Sequence, residues 1–376
     1  MRDTTWNPFD TLPRDCWVEI DSAQLTENMR LLIGAVKRPV LAVVKANGYG
    51  HGYEYAARAF LKGGATYLGV ANIAEAIILR RAGIEAPILI ICAMLPHDMK
   101  LAIEAGFEFL VWRQDHIAAL REMASKATPA RVHLKINTGM GRLGCWPEEG
   151  LEIAKALQAI PGVDLAGLAT HFASAYNPTI PDTDRQIERF DSVVKALAAA
   201  GIRPKIIHAA NSSGALYYPK AHYDMVRFGI SMYGVPGEMI KLPPGVETAF
   251  TWHARITSTI VLPKGHGVSY ASEYVMPEEG RVGVLPVGYA DGFQRVPKNI
   301  NTVLVEGQER KTLGRICMDQ TMIDLLGMKD IIGAQVTLIG KQGDSEISVR
   351  DVAKRWGTNS YSVYCGVAAR VPRRLV

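Results

Sequence analysis

The chain has 376 residues, of which 48% are hydrophobic and 21% are charged, and its formal net charge at pH 7 is +5. This composition is typical of a globular protein with room for two domains, or for one large barrel with an appendage. Basic residues are scattered among acids and form no stripe or tail, which argues against a nucleic-acid partner. No apolar run is long enough to span a bilayer, so we expect no membrane partner.

The cysteines and the N-terminal segment indicate where the protein works. The five cysteines are odd in number, far apart and never spaced as CxxC; they are Cys16, Cys92, Cys145, Cys317 and Cys365. This usage is typical of reduced thiols and argues against a structural zinc site or a disulfide framework. The segment MRDTTWNPFDTLPRD lacks the basic start and apolar run of a signal peptide. The sequence therefore predicts a cytoplasmic protein without a metal centre.

Between residues 40 and 230, short β-branched runs alternate with segments whose apolar residues recur at helical spacing. This alternation indicates a parallel sheet, and eight repeats favour closure into a (β/α)8 TIM-type barrel. An open doubly wound sheet is the alternative, but the turn after the first run, GYGHG, is not the GxGxxG of that fold. The eight predicted strands are Val40–Lys45, Thr66–Val70, Pro87–Ile91, Phe107–Val111, Arg131–Ile136, Leu165–Thr170, Lys205–His208 and Met225–Phe228.

After about residue 245 the pattern changes to strands separated by Gly and Pro turns, which indicates a mainly β domain. We predict a barrel domain over residues 17–245 and a mainly β C-terminal domain over residues 246–376, with residues 1–16 packing on the latter. The predicted strands of the second domain are Trp252–Leu262, Arg281–Val287, Asn301–Val305, Gln335–Ile339 and Tyr361–Cys365, and its predicted helix is Val349–Trp356.

A barrel of this type carries its active site at the C-terminal ends of its strands, and Lys45 ends the first predicted strand. It stands just before the glycine-punctuated turn of VVKANGYGHG. A lysine held partly out of water has a lowered pKa, and its neutral amine can form a Schiff base with an aldehyde. Pyridoxal phosphate is the aldehyde that proteins usually hold in this way. The plainer alternative is a lysine that only caps its strand.

The other strand ends carry groups that suit an anionic ligand. Phosphate sites in such barrels often follow strands seven and eight, where the segments 211–214 (NSSG) and 228–230 (FGI) offer hydroxyl and backbone N–H groups. Once the barrel closes, these segments lie beside Lys45, so both anchors of pyridoxal phosphate are present. Taken singly, each residue has a structural explanation, and their joint placement favours a site. The further polar residues at strand ends are Lys135, Asn137, His171 and Arg227.

In their order along the chain, the motifs resemble those of bacterial, pyridoxal-phosphate-dependent alanine racemases over nearly the whole length. They are VVKANGYGHG, KINTGMGRLG, THFAS, AANSSG, RFGISMYG, GVSY, GYADGF, GRICMDQTMID and RVPR. The resemblance implies a homodimer with shared active sites that interconverts L- and D-alanine and supplies D-alanine for peptidoglycan. It implies that Lys45 binds the cofactor and is one catalytic base. Tyr270 matches the second base, which the other subunit of a head-to-tail dimer contributes.

The resemblance also implies roles for the remaining site residues. Arg227 matches the arginine that faces the pyridine nitrogen, and Lys135 matches a lysine that is often carbamylated. Positions that match phosphate contacts are Tyr49, Ser212, Gly229, Ile230 and Tyr361, and those that match other cofactor contacts are His171 and Asn211. Positions that match substrate-carboxylate contacts are Arg142 and Met318, and those that match the entrance and its surroundings are Tyr289 and Asp319.

The chemistry of racemisation accounts for this set. Inverting a stereocentre requires a proton removed from one face and delivered to the other, so two acid–base groups must flank Cα. An arginine resists giving up its proton and should keep the pyridine nitrogen largely unprotonated. Two positions depart from the family pattern: Asn137 stands where many members have Asp, and Ala271 stands where Gly or Thr is usual.

Three other functions fit parts of the sequence. An amino-acid decarboxylase of the same architecture would set a carboxylate against the pyridine nitrogen, where this chain has Arg227. A non-catalytic cofactor-binding barrel would lack both the β domain and a counterpart of Tyr270. A racemase for serine, lysine or a broader set of amino acids would share the catalytic pair and differ only in the size of its pocket. Racemisation of alanine is the function that the sequence favours.

Overall fold

The fold is taken from a computed structural model that describes residues 13–236, 239–295, 300–329 and 331–376. Contacts divide the chain into two compact units. The barrel unit comprises residues 23–48 and 56–248, and the β unit comprises the described residues up to 22, residues 49–55 and those from 249 onwards. None of the helices in these described ranges is both long enough and apolar enough to cross a bilayer.

Eight parallel strands form a nearly closed barrel, which confirms the predicted fold class. The strands are β2 (Val40–Val43), β3 (Tyr67–Val70), β4 (Ile88–Ile90), β5 (Glu108–Val111), β6 (Ala130–Lys135), β7 (Val163–Ala169), β8 (Ile206–His208) and β9 (Val226–Phe228). Their hydrogen-bonded order is β8-β7-β6-β5-β4-β3-β2-β9, so the ladder is continuous from β8 round to β9. Most of these strands are buried on both faces, which explains why they appear as continuous apolar runs such as VLAV and ILI.

Helices connect these strands and cover the barrel with their apolar faces. In the helix Asp182–Ala199, for example, Ile187, Phe190 and Leu197 are buried at helical spacing. The helices of the barrel unit are Ser22–Val36, Tyr53–Lys62, Ile73–Arg81, Pro96–Glu104, Gln114–Met123, Gly150–Gln158, Asp182–Ala199 and Ser212–Tyr217, where the first and second begin in the β unit.

In the described part of the chain, the β unit is built on a ten-stranded sheet and two further short strands. Its strands are β1 (Cys16–Ile20), β10 (Phe250–Arg255), β11 (Ser258–Leu262), β12 (Gly267–Val268), β13 (Tyr274–Val275), β14 (Gly280–Leu285), β15 (Thr302–Val305), β16 (Gln308–Leu313), β17 (Thr321–Asp324), β18 (Gln335–Gln342), β19 (Ser345–Ile347) and β20 (Arg373–Leu375). The order of the main path of the sheet is β11-β14-β17-β16-β15-β18-β10-β1-β20, and β19 pairs with β18. The helices Val349–Arg355 and Ser360–Gly366 complete it.

The N-terminal strand differs from the sequence-based prediction. Strand β1 pairs antiparallel with β10, with Cys16 opposite Ala254, so residues 17–20 belong to the β sheet although we predicted them in the barrel domain. The short run CWVEI resembles a first barrel strand in sequence, and only its long-range pairing assigns it to the sheet. Of the segment predicted to pack on the β domain, residues 1–12 lie outside the described residues.

Two elements of the β unit were also predicted wrongly. The segment Trp252–Leu262 is divided between β10 and β11, and the predicted strand Tyr361–Cys365 lies in the helix Ser360–Gly366. The Asn359 side chain accepts a hydrogen bond from Ser362 N at 3.0 Å and thereby caps this helix. That cap outweighs the β propensity of the aromatic and branched residues behind it.

Candidate active site

Lys45 begins a left-handed turn at the C-terminal end of β2. The three residues that follow it have φ values of 53°, 55° and 59°, and only the last of them is a glycine. A left-handed conformation costs an L-residue roughly 1–2 kcal/mol. The turn is closed by a hydrogen bond from Gly48 N to Val44 O, 2.9 Å long. The Glu75 carboxylate holds it from the side, because it accepts hydrogen bonds from Ala46 N at 2.9 Å and from Ala71 N at 2.7 Å.

Arg227, on β9, is buried and has protein acceptors around its guanidinium. Its Nη1 donates to His208 Nδ1 at 3.0 Å, and its Nη2 faces three acceptors. These are Thr170 O at 2.9 Å, Ala209 O at 2.9 Å and His171 Nδ1 at 3.2 Å. Burial lowers the pKa of Arg227 to about 10, which still leaves it a cation at neutral pH. The structure therefore brings Arg227 and His171 together.

Four basic side chains lie near one another in this part of the barrel. Burial holds the pKa of His171 well below its usual value, and the charges of Arg227, Lys135, Arg142 and Lys45 lower it further, in that order. Burial also holds the pKa of the Lys135 amine well below its usual value, with Arg227 and Arg142 as the next causes. None of the causes of these two shifts is a carboxylate. Such a cluster suits an anionic ligand.

The loops after β8 and β9 are joined by side-chain hydrogen bonds. Ser212 Oγ accepts a hydrogen bond from Gly229 N at 2.9 Å. Asn211 caps the helix that follows, because its side-chain oxygen accepts from Gly214 N at 3.0 Å, and its amide donates to Phe172 O at 3.3 Å. Ile230 opens a buried turn directly after Gly229. The predicted phosphate-binding residues of the barrel unit are thus neighbours.

The loop after β6 is folded back on its strand. Asn137 Oδ1 accepts hydrogen bonds from Gly139 N at 3.3 Å and from Gly141 N at 3.0 Å. Cys145 N donates to Lys135 O at 3.0 Å, which anchors the end of the loop. Arg142 lies exposed between these anchors. A single acceptor oxygen satisfies both glycine N–H groups, so Asn at position 137 can organise the loop without the charge of an aspartate.

Five of the site residues predicted in the β unit form two groups. The rings of Tyr49 and Tyr361 lie with their centroids 6.2 Å apart. Tyr289 N donates to Cys317 O at 3.0 Å, and Ala290 N donates to Met318 O at 3.1 Å, so these two segments run side by side. Beside them Arg370 binds Asp319 at 2.5 Å and the buried Asp291 at 2.7 Å.

Tyr270 lies at a strained and exposed turn of the β unit. Its side chain is 65% exposed. The residues on either side, Ser269 and Ala271, have φ values of 63° and 62°, and Ser272 has 47°. Ser269 Oγ donates to Arg315 O at 2.6 Å, which ties the turn to the loop before Cys317. The strained backbone and the exposed side chain indicate that Tyr270 has a functional role and is not a core residue.

Sequence reasoning missed several buried polar residues around these groups. They are Glu75, Glu108, His133, His208 and Asp291. Glu75 and Asp291 stand in the first turns of helical segments, where an acid usually has only a capping role, and the other three point inwards from strands. A polar residue inside an otherwise apolar barrel strand was the available signal for Glu108 and His133.

Comparison with known proteins shows the family. Residues 20–236 match the family described as "Alanine racemase, N-terminal domain", and residues 249–375 match "Alanine racemase, C-terminal domain". The chain is 42% identical to the alanine racemase of Geobacillus kaustophilus over 371 residues, which cover 97% of this chain and 95% of the relative. It is 40% identical to that of Symbiobacterium thermophilum, with 96% and 97% covered.

Solved structures agree with this relationship. The alanine racemase of Bacillus anthracis with bound L-Ala-P has a TM-score of 0.92 at 35% identity, and the comparison covers 97% of this chain and 96% of that one. The histidine racemase of Leuconostoc mesenteroides has a TM-score of 0.91 at 28% identity, with 98% and 100% covered. The chain therefore belongs to the alanine racemase family and is an isomerase that interconverts the enantiomers of alanine.

Proposed function

We propose that the enzyme racemises alanine with pyridoxal phosphate bound through Lys45, and that Lys45 and Tyr270 are its two acid–base groups. The observation that carries this proposal is the grouping of the basic side chains Lys45, Lys135, Arg142 and Arg227 around His171, with no carboxylate among the groups that perturb Lys135 and His171. A phosphate and a substrate carboxylate would both offset that charge. The residues present fit the cofactor in their chemistry.

When bound, pyridoxal phosphate supplies an electron sink that makes the α-proton of an amino acid acidic. Lys45 Nζ then holds the proton on one face of Cα, and the Tyr270 phenol holds it on the other. Arg227 would hold the pyridine nitrogen as a donor that keeps its own protons. The phosphate contacts are those assigned by the resemblance: Tyr49, Ser212, Gly229, Ile230 and Tyr361. His171 and Asn211 complete the cofactor-binding set.

The substrate is bound by residues of exposed loops. Arg142 and Met318 contact the substrate carboxylate, and Tyr289 and Asp319 lie at the entrance. Lys135 supports the site as a carbamate, because a buried amine with a lowered pKa is the neutral form that reacts with carbon dioxide. The reaction joins the amine nitrogen to the carbon of carbon dioxide and releases a proton. The resulting anion would lie near Arg227 and Arg142.

The assembly and cellular role follow the family pattern. The enzyme is a homodimer in which Tyr270 completes the partner's site, and the 65% exposure of Tyr270 in a single chain supports this arrangement. It works in the cytoplasm, in keeping with five cysteines that are all free thiols. Its product, D-alanine, supplies peptidoglycan synthesis. The alternative is a broader or different specificity on the same scaffold, and the similarity to a histidine racemase favours testing it.

The deciding experiment combines absorbance spectroscopy with chiral analysis. We expect the purified protein to show the visible band of lysine-bound pyridoxal phosphate and to convert L-alanine to D-alanine. The Lys45→Ala variant should lose both properties, while a variant of the exposed Lys155 should keep both. Bound cofactor with D-serine, D-lysine or D-histidine as the main product would replace the substrate assignment. No band after reconstitution would overturn the proposed cofactor.

A further inference from the structure

A chain of buried hydrogen bonds leads from Arg227 across the barrel interior to a carboxylate. From Arg227 Nη1 it passes to His208 Nδ1 at 3.0 Å, and from His208 Nε2 to His133 Nδ1 at 2.9 Å. It ends where His133 Nε2 lies 2.8 Å from Glu108 Oε2. Its four members stand on β9, β8, β6 and β5, and all are buried. The mechanism proposed above uses only Arg227.

Hydrogen-bond chemistry gives this chain a single direction. A guanidinium can only donate, so His208 Nδ1 must carry a lone pair. A neutral His208 then has its proton on Nε2 and donates it to His133 Nδ1. His133 in turn holds its proton on Nε2 and donates it to the Glu108 carboxylate. Burial, followed by the charge of Arg227, holds the pKa of His208 well below its usual value, in agreement with a neutral ring.

The barrel backbone makes room for this arrangement. Gly167 on β7 is the register partner of His133, and a Cβ atom at position 167 would lie 2.0 Å from His133 Nδ1. The register between β6 and β7 also shifts between Val132 and His133. Any side chain at position 167 would therefore displace the ring that links Glu108 to His208. The absence of a side chain at Gly167 thus leaves the space that the His133 imidazole occupies.

We infer that Glu108 and His133 are positioning residues for racemisation, which fix the tautomer of His208 and thereby the orientation of Arg227 against the pyridine nitrogen. Two imidazoles link the buried Glu108 carboxylate to the Arg227 cation. Without that carboxylate His208 can turn or exchange its proton, and the guanidinium loses the acceptor that fixes its Nη1. The expected effect on catalysis rests on the proposed function. The expected tautomers of His133 and His208 do not, because they can be measured in the apoprotein.

The first test measures the tautomers directly by long-range ¹H–¹⁵N spectroscopy of histidine-labelled apoprotein. We expect neutral rings protonated on Nε2 at both His133 and His208. In the isosteric Glu108→Gln variant, we expect the His208 signals to broaden or to shift towards a mixture of tautomers. A cationic His208, or one protonated on Nδ1, in the wild-type protein would overturn the inference even if the enzyme is a normal racemase.

The second test measures kinetics and the cofactor spectrum of the holoenzyme. Since misplacing a catalytic group by about 1 Å can cost on the order of a hundredfold, we expect Glu108→Gln to lower kcat by about tenfold to a hundredfold with little change in KM. The absorbance band of the bound cofactor should shift as well. A His133→Asn, Glu108→Gln double variant should be no slower than the slower single variant, because the two residues act as a unit.

The matched control is Arg131→Gln. Arg131 approaches the other Glu108 oxygen at 3.8 Å but is largely exposed and outside the chain of hydrogen bonds, so its loss should leave kcat and the spectrum unchanged. If Glu108→Gln lowers only the thermal midpoint while kcat and the spectrum stay as in the wild type, Glu108 is merely structural and the inference is wrong. An Arg131 effect equal to that of Glu108 would also contradict it.

Discussion

At the scale of single residues, Glu75 shows how a buried carboxylate holds the turn that follows Lys45. Its carboxylate accepts hydrogen bonds from the backbone N–H groups of Ala46 and Ala71, and Glu75 is 8% exposed. The first of these N–H groups belongs to the left-handed turn after Lys45. Without two acceptor oxygens in this place, that turn would leave a backbone donor without a partner, at a cost of about 1–3 kcal/mol.

We therefore predict that Glu75→Gln weakens cofactor binding and lowers stability by about 1–3 kcal/mol, because an amide offers one acceptor oxygen instead of two. The measurements are the thermal midpoint of the apoprotein and the dissociation constant for pyridoxal phosphate. Glu152→Gln is the control, since Glu152 forms only an exposed pair with Lys155. Equal effects of the two substitutions would contradict the role given to Glu75.

The buried histidines predict a dependence of stability on pH. Folding holds the pKa values of His171 and His208 well below their usual value, mainly by burial and then by the charge of Arg227. In the unfolded chain both rings take up protons as the pH falls through about 6.5, while in the folded chain they stay neutral. The unfolded state therefore binds more protons, and stability is lost as the pH falls below about 6.5.

Each such histidine adds a slope of about 1.4 kcal/mol per pH unit in that range. We expect the melting temperature of the apoprotein to fall between pH 7 and pH 5, and we expect His171→Gln to make the fall shallower. His97→Gln should leave the slope unchanged, because His97 is 72% exposed. A steeper fall in the His171 variant would show that the sign is wrong.

At the scale of elements, the turn that carries Tyr270 departs most clearly from ordinary backbone geometry. Ala271 has φ 62° and ψ 9°, a conformation that glycine adopts without strain. We predict that Ala271→Gly stabilises the protein by about 0.5–1 kcal/mol, as measured by its thermal midpoint. Ala118→Gly, in the middle of the exposed face of the helix Gln114–Met123, should destabilise it by about 1 kcal/mol. Two substitutions with the same sign would contradict this reading of the turn.

Sequence predicted the barrel elements well because each barrel strand is a short, continuous apolar run between helical segments. All eight predicted strands overlap β2 to β9, with ends that coincide or differ by one or two residues. The prediction failed where a local cap decides the structure, as at Asn359, and where only a distant partner does, as at Trp17. Neither a side-chain cap against strand propensity nor a long-range pairing leaves a periodic signal.

The candidate site was predicted in part for the same reason. Lys45, His171 and Arg227 could be found because a parallel barrel gathers polar groups at the ends of its strands. The buried polar residues that hold these groups could not be found, because their role depends on which side chains lie next to them in the fold. Glu75 has the position of an ordinary acid in the first turn of a helix, and His133 became significant only with Glu108 and His208 at hydrogen-bond distance.

At the scale of the whole molecule, the proposed sharing of active sites between subunits can be tested by complementation. Lys45→Ala and Tyr270→Ala each remove one base from every site of a homodimer. In a mixed dimer, one site would lack both bases and the other would have both. Random pairing of equal amounts should therefore restore about one quarter of the wild-type activity.

The experiment requires the two variants to be refolded or produced together, with each alone as the control. Chiral analysis of alanine gives the readout. Activity no greater than the sum of the separate variants would show that Tyr270 serves the site of its own chain. The proposed dimer would then lose its main support, although the family and the reaction would stand.

The left-handed turn after Lys45 also has a consequence for chirality. The genetic code supplies Ala46 as an L-residue, yet its backbone has the handedness that a D-residue prefers. At this position only glycine, asparagine and aspartate relieve the strain among the encoded residues, whereas D-alanine would relieve it and keep the methyl group. At position 46, the backbone beside Lys45 would therefore accommodate a residue of D-alanine, the enantiomer that this enzyme forms from L-alanine.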